Sequence, residues 1–318
     1  MPTLYIVVPC YNEEEVLPET AKRLLVKREQ LVASGRCTGG SRIVFVDDGS
    51  RDSTWDIIAQ LHAEHPVISG VKLAHNRGHQ NALLCGLMTV RGLCDCAVSM
   101  DADLQDDIEA LDDFMDAFIA GNDVVYGVRR RRDTDTVFKR ASAQGYYKFL
   151  HVLGVDVVYN HADYRLLSRR ALDALSEYGE VNLFLRGIVP LIGLRSTEVY
   201  YDRHERFAGE SKYPLRKMLG LALDGVTSFS VKPIKIISNI GVAISFLSVL
   251  GLVYALVSKF AWPGSTVSGW SAIIASIWLL GGIQLFCIGI IGEYIGKIYS
   301  ETKARPRYLV EEFLNRED

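Results

Sequence analysis

A chain of 318 residues is long enough for one large α/β domain and an additional segment. Its formal net charge of −3 provides no excess of basic residues, which argues against a nucleic-acid partner. The six cysteines follow no metal-binding or disulfide spacing, so they are expected to be reduced and mostly buried.

The N-terminal part of the chain alternates between apolar runs and helical segments. Mostly apolar runs at 3–9, 42–46, 67–73, 96–100 and 123–127 predict strands that are buried on both faces. Helices are predicted after each of the first four strands, and they end near residues 34, 62, 91 and 120. This alternation predicts right-handed βαβ units and a doubly wound, mostly parallel α/β sheet.

Polar clusters follow four of these strands. They are Tyr11-Asn12-Glu13, Asp47-Asp48, Asn76-Arg77 and the pair Asp101 and Asp103. Because ligands of such sheets bind outside the carboxyl ends of the strands, the clusters predict one ligand site. Asp101 and Asp103 would repel each other without a compensating positive charge, which favours a divalent cation bound to a phosphate. The chain lacks the glycine patterns of a dinucleotide site and of a P-loop.

Residues 128–231 are less regular. The basic run 129–132, followed by Lys139 and Arg140, fits a solvated charge run about as well as a second phosphate site. Residues 160–165 form a polar cluster before a predicted helix at 169–178, and residues 206–213 predict a loop with charge for an anion.

Two uncharged stretches predict a transmembrane hairpin. Residues 236–258 would span about 35 Å as a helix, enough to cross a bilayer, and residues 271–292 are nearly as long. Lysines and arginines flank the pair, whereas the connecting loop has only Lys259. The positive-inside rule therefore predicts a multi-pass protein of the cell (inner) membrane, with the α/β domain on the cytoplasmic face.

The predicted domain organisation has four parts. They are a cytoplasmic catalytic domain at 1–212, a juxtamembrane helix at 213–233, the membrane segment at 234–296 and a cytoplasmic tail at 297–318. Leucines at helical spacing suit an interfacial position for 213–233, although core packing fits nearly as well. Glycines 281, 282 and 289 would permit close helix packing, which hints at a homo-oligomer.

Three further segments stand out together, namely IVVPCYNE at 6–13, VDDGSRDST at 46–54 and MDADLQD at 100–106. They resemble glycosyltransferase family 2, which has the GT-A fold. Residues 163–170 and 208–213, together with the two apolar stretches, are similar to the polyprenyl-phosphate glycosyltransferases. That group includes dolichyl-phosphate mannose synthases and bacterial enzymes that charge undecaprenyl phosphate with glucose.

The resemblance implies a membrane-bound, inverting glycosyltransferase. It would move a hexose from a nucleotide sugar, with UDP-glucose as first choice, to polyprenyl (undecaprenyl) phosphate for modification of a cell-envelope glycan. N-acetylglucosamine, galactose and mannose are the alternative sugars. A processive polysaccharide synthase ranks lower because the chain has no Arg-Trp pair. A membrane scaffold with a degenerate transferase domain ranks lower because the acids at 47, 48, 101 and 103 are intact.

The resemblance also implies roles for individual residues. The expected ligands of Mg²⁺ or Mn²⁺ are Asp101, Asp103 and Gln105. The expected nucleotide-binding residues are Pro9, Tyr11, Asn12, Glu13, Asp48, Asn76, Gly78 and Asp101. The expected acceptor-phosphate residues are Arg129, Lys139, Arg140, Ser142, Ser211 and Lys212, and Arg165 would help to close over the phosphates. The expected catalytic residues are Asp163, Asp103, Arg129 and Arg140. Since a phosphate monoester is already ionised near pH 7, Asp163 is assigned an orienting or electrostatic role rather than that of a base.

Overall fold

The computed structural model describes residues 1–130, 161–202 and 270–316, together with scattered helical positions between 234 and 250. The described residues fall into two compact units. The first contains 1–130, 161–202 and 304–316, and the second contains the helical positions of 234–250 and residues 270–303.

The first unit is built on one mixed sheet of eight strands. In chain order they are β1 (Leu4–Cys10), β2 (Arg42–Asp47), β3 (Ile68–Leu73), β4 (Cys96–Ser99), β5 (Val124–Arg129), β6 (His161–Ser168), β7 (Ser196–Tyr201) and β8 (Val310–Leu314). Its helices are α1 (Leu17–Ala33), α2 (Thr54–Glu64), α3 (His79–Val90), α4 (Leu111–Ile119), α5 (Arg169–Ser176) and α6 (Leu185–Leu191), and a 3₁₀ turn at Ile108–Ala110 precedes α4. The order across the sheet is β7-β5-β6-β4-β1-β2-β3-β8.

The centre of the sheet is parallel. β1 pairs with β2 and β4, β2 pairs with β3, and all of these pairs are parallel. Every residue of β1 and β2 is buried, because helices cover both faces and leave no side open to water. The predicted α/β sheet is therefore confirmed, and the carboxyl ends of β1 to β4 lie at one edge.

One central strand was missed by the prediction from sequence. β6 lies antiparallel between β4 and β5, whereas the sequence pattern placed its first residues in a polar cluster before a helix. The strand carries Asp163 and Arg165. The Arg165 side chain is only 2% exposed, and its charge is paired with that of Asp163. A buried ion pair interrupts the apolar run by which interior strands are recognised, so the prediction was wrong here.

The C-terminal residues also belong to the sheet. β8 pairs antiparallel with β3, at the edge of the sheet. Lys72 Nζ lies 3.2 Å from Glu311 Oε1 across this pair, and Arg42 Nη1 donates to Asn315 Oδ1 at 3.0 Å. The final residues, predicted only as a tail, therefore cover an edge strand that would otherwise leave its backbone groups unpaired.

The second unit contains a single long helix, α7 (Trp270–Lys303), among the residues that can be followed continuously. Within the described part of the chain, one helix is long and apolar enough to cross a membrane, namely Leu280–Lys303. Its apolar side chains are exposed in the isolated chain; Leu285 is 73% and Ile288 is 63% exposed. Most of the first predicted span and all of the predicted juxtamembrane helix at 213–233 lie outside the described residues.

Candidate active site

The loops that follow β1 and β2 are tied together. Asn12 has a φ of 53°, and its side-chain oxygen accepts a hydrogen bond from the backbone N–H of Arg51 at 2.9 Å. The backbone N–H of Asn12 donates to Ser50 Oγ at 3.0 Å, and that of Glu13 donates to Thr54 Oγ1 at 2.9 Å. Asparagine adopts this left-handed conformation more readily than most residues. These contacts hold residues 12 and 13 in a loop, and α1 begins only at Leu17.

Asp48 fixes the loop after β3. Its carboxylate is buried and accepts from the backbone N–H groups of Arg77 at 2.7 Å and Gly78 at 2.9 Å. Burial raises the pKa of the Asp48 carboxyl, and the two hydrogen bonds oppose that rise. At Gly49 the φ is +65°, and a Cβ would stand 2.6 Å from the backbone nitrogen of Asn76, so only glycine fits. The loops after β2 and β3 therefore bring Asp48, Asn76 and Gly78 together.

The remaining nucleotide-binding candidates differ in exposure. Pro9 is buried inside β1 opposite Val46 of β2, so its side chain belongs to the sheet interior. Tyr11 is 40% exposed at the end of the same strand. Glu13 is half-buried. Of these three residues, Tyr11 is the aromatic one, and its side chain is exposed enough to contact a ligand.

Asp101 follows β4 and lies in an acidic environment. Its side chain is only partly shielded from solvent, and other acids lie around it. Burial is the main cause that raises its pKa to about 6, and repulsion from Asp106, Asp163 and Asp103 adds to the rise, while His79 opposes it. A carboxylate with a raised pKa is disfavoured in its charged form, and a cation bound nearby would relieve this. The donor set therefore fits a hard divalent cation.

Asp103 closes a tight turn beside Asp101. Its Oδ1 accepts from the backbone N–H of Gln105 at 3.1 Å, across Leu104 with a φ of 58°. No group of three or more His, Cys, Asp or Glu side chains encloses a metal position within the described residues. A cation held by these two carboxylates would therefore complete its coordination with other oxygens, such as those of a diphosphate.

Two arginines hold Asp163. Arg186 donates to both carboxylate oxygens, at 3.2 Å from Nε and 3.1 Å from Nη2, and Arg165 Nη2 also donates to Oδ1. Burial alone would raise the pKa of Asp163, but Arg165 and Arg186 hold it well below its usual range. Arg165 is buried and also donates to the carbonyl of Leu185 at 3.2 Å. This interior position does not fit the expected closure of Arg165 over phosphates; it supports Asp163 instead.

Arg129 lies at the end of β5, in register with Tyr201 of β7. Its Nε donates to Tyr201 Oη at 3.2 Å, and its Nη2 is 3.4 Å from Asp106 Oδ1. Arg130 follows on the opposite face, where it is 61% exposed and lies 3.5 Å from Asp202. The structure describes two arginines of the basic run. Arg129 contacts Asp106 of the candidate site, whereas Arg130 does not.

A profile of glycosyl transferase family 2 matches residues 5–176, more than half of the chain. The chain belongs to glycosyl transferase family 2. A second profile, the GtrB C-terminal hairpin, matches residues 232–298 of this glycosyltransferase. The predicted family and enzyme class are confirmed.

Similar proteins span almost the whole glycosyltransferase. The uncharacterized glycosyltransferase YkoT of Bacillus subtilis is 52% identical over 98% of this chain and 91% of its own length. The bactoprenol glucosyl transferase of Shigella phage SfX is 37% identical over 96% of this chain and 97% of its own length. Among solved structures, the mannosyltransferase PcManGT of Pyrobaculum calidifontis is 17% identical, with a TM-score of 0.48 over 92% of this chain and 87% of that one. That last likeness is too distant to decide function.

Five predicted acceptor-site residues of the glycosyltransferase cannot be placed. Lys139, Arg140, Ser142, Ser211 and Lys212 lie outside the described residues. Their roles stay predictions.

Reasoning from the sequence missed four residues that border the acids. His79, at the start of α3, has Nε2 at 3.5 Å from Asp101 Oδ1 and 3.8 Å from Asp163 Oδ2. Arg186 is the one charged residue between 181 and 194, and an isolated charge in an apolar segment was a usable signal. Asp106 and Tyr201 gave no such signal. Asp106 is one acid within an acidic run, and Tyr201 is one of 15 tyrosines.

The arrangement suits phosphate chemistry at the carboxyl edge of the sheet. The carboxylates of Asp101 and Asp103 are oxygen donors of the kind that a divalent cation takes, and guanidinium groups such as that of Arg129 are the kind of donor that phosphate oxygens take. Asp163 is held by two guanidinium groups and stays ionised, so it is a poor acceptor for a proton near neutral pH.

Proposed function

We propose that this glycosyltransferase moves glucose from UDP-glucose to the phosphate of a polyprenyl lipid. The observation that carries the proposal is the similarity to proteins named bactoprenol glucosyl transferase. Those of Shigella phages SfX and SfV are 37% and 36% identical and match over 97% of their own lengths. Similarity over whole chains includes both the catalytic sheet and the apolar C-terminal segment.

The geometry supports attack by the acceptor phosphate without a general base. A phosphate monoester is already an anion near pH 7, so it needs orientation and relief from repulsion more than deprotonation. Arg129 is available to grip it, and Asp163, with its depressed pKa, is not suited to accept a proton. Attack on the face of the sugar opposite to the diphosphate would invert the anomeric centre.

A divalent cation, Mg²⁺ or Mn²⁺, fits the donor set. Asp101, Asp103 and Gln105 are the residues proposed to hold it, beside Asp48 and the loops that would take the nucleotide. When bound, the cation would neutralise the donor diphosphate and stabilise the charge that develops on it as it leaves.

The path of the chain supports a two-helix membrane hairpin. Residues before and after the apolar segment belong to the same folded unit, because β8 pairs with β3. A chain that leaves a folded unit and rejoins it on the same side of a membrane crosses that membrane an even number of times. α7 alone would give one crossing, so the uncharged stretch 236–258 is proposed as the second. The match of 232–298 to a C-terminal hairpin supports this topology.

Cysteine labelling of sealed spheroplasts tests the hairpin. A membrane-impermeant thiol reagent added outside spheroplasts should label Ser265→Cys, in the loop between the two stretches. It should label Arg305→Cys, after α7, only once the membrane is opened. The chain without either substitution controls for its own thiols. Protection of both positions would mean that neither stretch crosses.

Sugar transfer tests the function directly. Membranes that contain the protein are incubated with undecaprenyl phosphate and, in parallel, labelled UDP-glucose, UDP-N-acetylglucosamine, UDP-galactose or GDP-mannose. We expect lipid-linked label from UDP-glucose, and its loss when EDTA removes the divalent cation. Label from another donor would correct the sugar, and the absence of lipid-linked label from every donor would refute the proposal.

A further inference from the structure

Arg129 is held by a closed set of contacts with two other side chains. Tyr201 Oη donates to Asp106 Oδ1 at 2.6 Å and accepts from Arg129 Nε at 3.2 Å. Asp106 Oδ1 also lies 3.4 Å from Arg129 Nη2. The three side chains therefore form a triangle in which each touches the other two.

The triangle engages one particular edge of the guanidinium. Nε–H and one N–H of Nη2 point in the same direction and form the side edge of the group, and this is the edge that faces Tyr201 and Asp106. The end edge, made by Nη1 and the other N–H of Nη2, has no partner within the part of the chain that the structure describes. Two parallel donors on that edge match two oxygens of a phosphate.

The supporting residues are far more buried than the arginine that they hold. The Asp106 side chain is 1% exposed and Tyr201 is 2% exposed, whereas the Arg129 side chain is 27% exposed. The Tyr201 ring packs edge-to-face on Tyr164, with centroids 5.2 Å apart, and its strand position is fixed by the register of β5 and β7. A free arginine side chain samples many rotamers, and fixing it before the ligand arrives lowers the cost of binding.

Burial of Asp106 also needs an explanation. Its Oδ2 is buried and has no hydrogen-bond partner among the described residues, so the carboxylate is kept at a cost. A buried carboxylate is costly unless a positive charge compensates for it, and Arg129 is the positive charge beside Asp106. A charge held against the side edge of the guanidinium does serve it, because it fixes that edge and leaves the end edge for a ligand.

We propose that Asp106 and Tyr201 are positioning residues that aim Arg129 at the acceptor phosphate. This inference rests on the proposed function, because it takes the acceptor to be a phosphate monoester. Neither residue touches the substrate; both act through Arg129.

The test compares Tyr201→Phe with Tyr164→Phe in the full-length protein. Each change removes one buried hydroxyl from the same aromatic cluster, but Tyr164 Oη donates to the backbone carbonyl of Asp107 at 3.0 Å and does not touch Arg129. We expect Tyr201→Phe to raise the KM for undecaprenyl phosphate about tenfold and to leave the KM for UDP-glucose within about twofold. Tyr164→Phe should leave both KM values near those of the wild type. Asp106→Asn, which keeps the shape and loses the charge, should act in the same direction as Tyr201→Phe.

A double-mutant cycle distinguishes positioning from a general loss of structure. If Tyr201 acts through Arg129, Tyr201→Phe should change the acceptor KM by less than about twofold when Arg129 is already alanine. Additive effects, or equal effects of the two tyrosine changes, would overturn the inference while the proposed function stands. Absence of lipid-linked product with the wild-type protein would refute the proposed function, and the inference would fall with it.

Discussion

Asp103→Asn is expected to lower transfer to undecaprenyl phosphate by roughly two orders of magnitude. The change removes the charge of a proposed cation ligand but keeps the size of the side chain and an oxygen that can accept from Gln105. Transfer is measured with purified protein at saturating Mg²⁺ or Mn²⁺, and membrane insertion is checked by fractionation. Insertion should be unchanged, because the apolar segment is separate from this loop in the sequence.

Asp113→Asn is the matched control. Asp113 is an exposed acid on α4, only ten residues further along the chain, and it is not part of the candidate site. The control should transfer sugar at the wild-type rate. Full turnover in Asp103→Asn, or an equal loss in both variants, would remove Asp103 from the cation site.

Arg129→Ala is expected to raise the KM for undecaprenyl phosphate by about 100-fold. Two charge-assisted hydrogen bonds to a phosphate together contribute about 3 kcal/mol, which corresponds to that factor. The KM for the nucleotide sugar should change by less than about threefold, since the donor is held mainly by other loops. The measurement is a pair of steady-state titrations, one for each substrate.

Arg130→Ala is the neighbouring control. Arg130 has the same side chain one residue later, but it is 61% exposed on the opposite face and lies near Asp202 rather than Asp106. Because exposed ion pairs contribute little, neither KM should change. Equal losses for donor and acceptor in Arg129→Ala would count against an acceptor clamp and favour a role in binding the diphosphate.

Local signals account for the parts of the fold that could be predicted. β1 and β2 are mostly apolar and fully buried because both faces of the sheet are covered, and the acids at 47, 48, 101 and 103 lie at or just after the ends of strands at one edge. The topology of parallel strands then brings those acids together without any knowledge of distances. The family resemblance carried the same residues to a nucleotide-sugar enzyme, and the profile match confirmed that family.

Long-range strand pairing explains why β6 and β8 were not predicted from the sequence. β6 contains Asp163 and Arg165, whose charges look like those of a surface turn until their mutual contact is seen. β8 is short and acidic, and only its register with β3 makes it a strand. In both cases the strands that pair with the segment lie far away in the chain, so no local pattern could report them.

The chain by itself determined the α/β class, the sheet edge that carries the acids, the enzyme family and the two stretches that are apolar enough for a membrane. These properties depend on periodicity, composition and contiguous motifs, which are all local. The tertiary structure alone decided that two arginines hold Asp163, that Asp106 and Tyr201 hold Arg129, and that the C-terminal strand returns to β3. Side chains from different strands meet only when the sheet has formed, because the register of the strands, and not their order in the sequence, sets which side chains are neighbours.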